Sequence, residues 1–89
     1  MADRDLMQGW KPGLCGTEPQ AMLEQLTEAR SAVIAAAHRV YAVDINARDY
    51  AGREAELSDD HRLRLEVVRL LNEAADRILA AAMNVANRD

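Results

Sequence analysis

From Met22 to Ala47, the residues Met22, Leu26, Ala29, Val33, Ala36, Val40, Val43 and Ala47 follow one another at steps of four and three, alternating without exception. Every member is apolar. That period is one face of an α-helix, and a strand cannot present it as one face. A second apolar line, Leu23, Ile34, Ala37, Tyr41 and Ile45, runs beside the first, while Glu24, Glu28, Ser31, His38 and Asp49 fall on the other side. The segment therefore reads as an amphipathic helix with a wide apolar face.

Its start is marked by Thr17-Glu18-Pro19-Gln20, the spacing of a capping box, with Pro19 in the first turn where its missing N–H costs nothing. A second periodic stretch follows: Val68, Leu71, Ala75, Ile78, Ala82 and Val85, flanked by Leu63, Val67, Leu70, Ala74, Leu79 and Ala86. Arg62, Glu66, Arg69, Glu73 and Arg77 alternate in sign along its far side, the pattern of a solvated face. Ser58 or Asp59 is the expected N-cap. Punctuation divides the chain into an irregular arm over residues 1–16, with three of the four glycines, and a helical hairpin over 17–89. Within the hairpin the reading is a helix at about 18–51, a connection at 52–58 and a helix at about 59–87.

Two long helices joined by a short connection fold back most simply as an antiparallel pair. The expected fold is all-α, a two-helix hairpin with an N-terminal arm. Each helix carries two apolar lines, and one partner helix covers only one. The 89 residues are 49% hydrophobic, with 17 Ala and 10 Leu but only 3% aromatic content. A chain this short builds a limited core, so the surplus line points to a cover: the arm, or a second copy completing a four-helix bundle. Dimerisation is the expectation. The residues expected at a dimer or partner interface are Trp10, Leu23, Ile34, Tyr41, Ile45, Leu63, Val67 and Leu70. Asp44, at the edge of the apolar face near Arg30 and Arg48, is expected to make a polar contact that sets register.

Composition excludes other classes. Few β-branched and aromatic residues argue against a β sandwich. No apolar run reaches membrane-spanning length, and Met1 to Gly16 lacks the apolar block of a secretory signal. A net charge of −4 argues against non-specific nucleic-acid binding. A single cysteine, Cys15, fits a reducing cytoplasm and has no base beside it in sequence. Asp59-Asp60-His61 resembles a metal cluster, but consecutive helical side chains diverge by about 100° and do not converge on one ion. No metal or cofactor is expected.

Catalysis is not expected either. A helical dicarboxylate-binding enzyme, such as the helical chorismate mutases, needs several inward Arg and Lys groups. This chain has one lysine, in the arm, and no basic residue in its seams. The sequence instead reads as a small helical protein-protein interaction module, a regulator or inhibitor that sequesters a protein partner. Ten arginines against one lysine, with many alanines, suggest a GC-rich bacterial or phage source. Trp10 is the candidate anchor, and the acidic run Glu54 to Asp60 the candidate steering surface. Two alternatives stand beside this reading: a DNA-associated regulator using Arg62, Arg64 and Arg69, or a structural subunit of a larger assembly.

Overall fold

The computed structural model describes residues 4–12, 16 and 18–87. Two helices pack against each other as a hairpin: α1 at Pro19–Tyr41 and α2 at Glu54–Ala86. A short 3-10 helix at Ala47–Tyr50 lies in the connection and packs on α2, and no strand occurs among the described residues. The arm residues 4–12 contain a turn at 6–9, closed by Gln8 N–H to the Asp5 carbonyl and Trp10 N–H to that of Met7, each at 3.3 Å.

Both boundaries of the connection differ from the expected ones. α1 ends at Tyr41, ten residues short of 51. After Ala42 the chain runs Val43-Asp44-Ile45-Asn46, where β-branched residues alternate with two whose side chains compete for backbone hydrogen bonds. Asn46 does so: its side chain accepts from Arg48 N–H at 2.9 Å and opens the 3-10 helix. His38 and Arg39 in the last turn of α1 complement its dipole. At the other end of α1, Glu18 occupies the N-cap position without a side-chain cap bond, and the expected cap Thr17 lies outside the described residues. Gln20, its expected partner, instead donates to Glu24 at 3.4 Å.

α2 begins at Glu54, not near Ser58 or Asp59, both of which lie inside the helix. Gly52 has φ 79, a left-handed conformation that turns the chain into the helix at little cost only for glycine. Arg53 then takes the N-cap position and links three points of the turn. Its N–H donates to the Tyr50 carbonyl at 2.7 Å, and its guanidinium to the Asp49 carbonyl at 2.6 Å and Glu56 at 2.9 Å. Glu54 and Glu56 place negative charge in the first turn, at the positive end of the helix dipole. The connection thus spans residues 42–53 rather than 52–58.

α2 has 33 residues against 23 in α1, about 50 Å against 35 Å of rise. The connection partners the extra turns. The buried core residues are small: Ala37 on α1, and Ala75, Ala81 and Val85 on α2. Val85 is the largest side chain that is fully buried. On α2, covered positions follow the expected seam, extend it through Leu57, His61 and Arg64, and add the completely buried Ala81, which belongs to neither expected apolar line. On α1 the covered line is Leu23, Leu26, Arg30, Val33, Ala37 and Val40, again at steps of three and four. Ala29 of the expected seam is exposed, and the packing face draws on both apolar lines.

Candidate interaction surface

The connecting end of the hairpin is held by polar and aromatic contacts. Arg64, half-buried in the α2 seam, donates to the Val43 carbonyl at 2.8 Å and lies over the Tyr41 ring at 5.7 Å from its centroid. Its second terminal nitrogen is 3.4 Å from His61 Nδ1. Tyr50 donates to Asp60 at 2.6 Å, and Arg53 lies over the Tyr50 ring. The seam is therefore not free of basic residues, as the sequence reading had it: Arg30 and Arg64 both enter it. The Nε of each is buried without a hydrogen-bond partner, a local cost that packing around the guanidinium stems offsets.

At the other end, the arm reaches α2. Asn84 donates its side-chain amide to the Leu6 carbonyl at 3.3 Å, across 78 residues of chain. Between arm and helix lies an open cleft of about 530 Å³, lined by Arg4, Asp5, Leu6, Ala74 and Arg77. Trp10 is half-buried. Leu14 and Cys15 lie outside the described residues.

The molecule is thin and long. Its extents are 64 × 29 × 17 Å and its radius of gyration is 18.6 Å, where a compact chain of this length would have about 12 Å. It exposes 6753 Å², against about 5,200 Å² expected for a compact monomer of 9.9 kDa. Much of what is exposed is apolar. Leu63 is 48% accessible, Val67 43% and Leu70 48%. Their spacing of four and three sets them on one face of α2. Tyr41, Val43, Leu65, Leu79 and Met83 are exposed as well, while Leu23, Ile34 and Ile45 are half-covered. Leu65 and Met83 escaped the sequence reading because they belong to neither apolar line.

The charged residues of α2 are largely engaged within the helix. Arg69 pairs with Glu66 at 2.6 Å and Glu73 at 3.6 Å, Arg62 with Asp59 at 3.3 Å, and Arg77 with Glu73 at 3.8 Å. The Arg69 guanidinium holds the Glu66 carboxyl below the usual carboxylate range, first through the hydrogen bond and then through its charge. Of the three arginines considered for DNA, Arg62 and Arg69 are thus tied to carboxylates and Arg64 is turned toward the connection. Asp44 is exposed and forms no ion pair with Arg30 or Arg48 among the described residues. Among those residues, no group of three or more His, Cys, Asp or Glu could hold a metal ion, and no helix is long and apolar enough to cross a membrane.

No protein-family model matches the chain, and no curated protein or solved structure matches it. Assignment of function accordingly rests on the surface itself.

Proposed function

We propose that the chain is a helical interaction module: an antiparallel hairpin that pairs with a second copy to complete a four-helix bundle, whose outer surface then binds a protein partner. Contacts at both ends favour the antiparallel arrangement. Arg64, near the start of α2, reaches Val43 just past the end of α1, and Asn84, near the end of α2, reaches the arm that precedes α1.

The observation that carries self-assembly is the surplus of exposed surface. It amounts to about 1,500 Å², where a standard interface takes about 800 Å² from each partner. Leucines and valines at helical spacing are part of that exposed surface, and a contiguous exposed apolar face marks an interaction site. Sedimentation equilibrium at micromolar concentration is the test. Twice the 9.9 kDa chain mass supports the reading, and a 9.9 kDa species overturns it.

The partner-binding role rests on Trp10 and on the acidic start of α2, where Glu54, Glu56, Asp59 and Asp60 stand within two turns. Indoles are enriched at interface hot spots, and charge of one sign speeds encounter with an oppositely charged surface. Affinity capture from the native cell, with Trp10→Ala as comparison, tests this role. A protein retained by the natural chain and lost by the variant supports it, and identical recovery by both removes Trp10 as the anchor.

A further inference from the structure

We infer that the second copy docks along one stripe of α2, formed by Leu63, Val67, Leu70 and Ala74, helix against antiparallel helix, with the two-fold axis passing between Val67 and Leu70. This rests on the self-assembly proposed above and adds to it a face and a register.

The first argument is symmetry. Steps of four, three and four read the same in both directions along the helix. A two-fold axis at the centre of the stripe sets Val67 beside the partner's Leu70, and Leu63 beside the partner's Ala74. An isologous interface demands such a self-complementary patch, and alternating three and four spacing is what interlocks between antiparallel helices. On the other flank, Leu65 and Leu79 stand fourteen positions apart with Asn72 midway, so a two-fold axis there would place a polar amide at the centre of the contact.

Charge supplies the second argument. The same axis maps position 60 onto position 77, so each end of the stripe brings Asp60 against the partner's Arg77. Tyr50 takes only Oδ2 of Asp60, which leaves Oδ1 for a guanidinium. The acids beside the stripe, Glu66 and Glu73, are paired on their own helix with Arg69, and the looser contact of Glu73 with Arg77, at 3.8 Å, is the one that the partner's Asp60 would share.

The third is shape. The cleft between the arm and α2 opens beside Ala74 and Arg77. That is where the axis delivers the partner's Leu63, a side chain that is half exposed in the single chain. Arg4 and Asp5 of the arm also line the cleft with opposite charges, so Arg77 is the cation assigned to the partner's Asp60.

The experiment is sedimentation equilibrium of the full chain and three sets of variants, with far-UV circular dichroism as the check on folding. The natural chain is expected at twice the chain mass, Val67→Glu at the chain mass with its helix content intact, and Leu65→Glu still at twice. If Val67→Glu stays dimeric, the stripe is wrong while self-assembly stands; if the natural chain is monomeric, both fail. A charge-reversal pair covers the case in which Val67→Glu does not fold. Asp60→Arg and Arg77→Asp, each alone, should self-associate about tenfold more weakly, because like charges then meet at both ends of the stripe. Mixed, they should form a heterodimer of restored affinity. No gain on mixing overturns the register.

Discussion

The phenolic hydroxyl of Tyr50 donates to the carboxylate of Asp60 at 2.6 Å, joining the connection to the second turn of α2. The bond needs the phenol protonated. The Tyr50 pKa is raised above its ordinary value, first by the hydrogen bond to Asp60, then by burial of the phenol and by the Asp60 charge. A group whose pKa is higher folded than unfolded contributes stability in full below its unfolded value and loses it as pH rises through the folded one. Tyr50→Phe should therefore lower the melting temperature at neutral pH. The difference from the natural chain should shrink above pH of about 10, the ordinary tyrosine value. Thermal melts at pH 7 and pH 11 measure both parts, and a constant difference would contradict the assignment.

Arg64 links three elements: the α2 seam, the Tyr41 ring and the Val43 carbonyl. Arg64→Ala removes a charge-assisted hydrogen bond and a cation–π contact, and should cost about 2 kcal/mol in urea unfolding. Arg64→Lys should recover only part of this. A lysine keeps the charge but lacks the planar fork that reaches a carbonyl while stacking on a ring.

Gly52 is held at φ 79, and a Cβ built there meets nothing within 4 Å. The cost of Gly52→Ala is then conformational alone, about 1–2 kcal/mol for forcing an L residue into the left-handed region. Helix content at low temperature should be unchanged while the urea midpoint falls.

The core tolerates change in neither direction. Val85→Ala opens a cavity at the largest fully buried side chain and should cost about 2 kcal/mol. Ala81 is completely buried, and Ala81→Leu should destabilise by about 1–3 kcal/mol through overpacking. Equilibrium unfolding reads both, and a stabilising Ala81→Leu would mean that space remains beside α2.

Much of the α2 seam was legible in the sequence because Val68, Leu71, Ala75, Ile78, Ala82 and Val85 are apolar at strict helical spacing, but Val67, Leu71, Ala74, Ile78, Ala81 and Val85 keep the same spacing, and periodicity alone did not single out Ala81 as completely buried. The end of α1 was not. Val43 and Ala47 continue the three-and-four pattern, so periodicity ran on while the local preferences of Val43, Asp44, Ile45 and Asn46 ended the helix. The start of α2 was missed for a related reason. Ser58 and Asp59 are good caps, but Gly52 turns the chain earlier and Arg53 secures the turn with side-chain bonds that leave no spacing signature. The exposed Leu63, Val67 and Leu70 could be read as surplus from the pattern alone. The cleft beside them could not, since it depends on one carbonyl of the arm meeting Asn84 at a separation no local motif encodes.

That long-range bond bears on how the molecule opens. Contacts at the connection join residues separated by ten or twenty-one positions, whereas Asn84 and Leu6 are separated by 78. Loop-closure entropy rises with the logarithm of that separation. The connection end should form early as the chain folds and the arm should dock last, held by few contacts. In native-state hydrogen exchange, amides of residues 4–12 should exchange from a locally undocked state at little free-energy cost, ahead of those around Ala75 and Val85. The free chain would then spend part of its time with the Asn84–Leu6 bond broken and the arm wall of the cleft withdrawn, a breathing motion at one end of an otherwise closed hairpin.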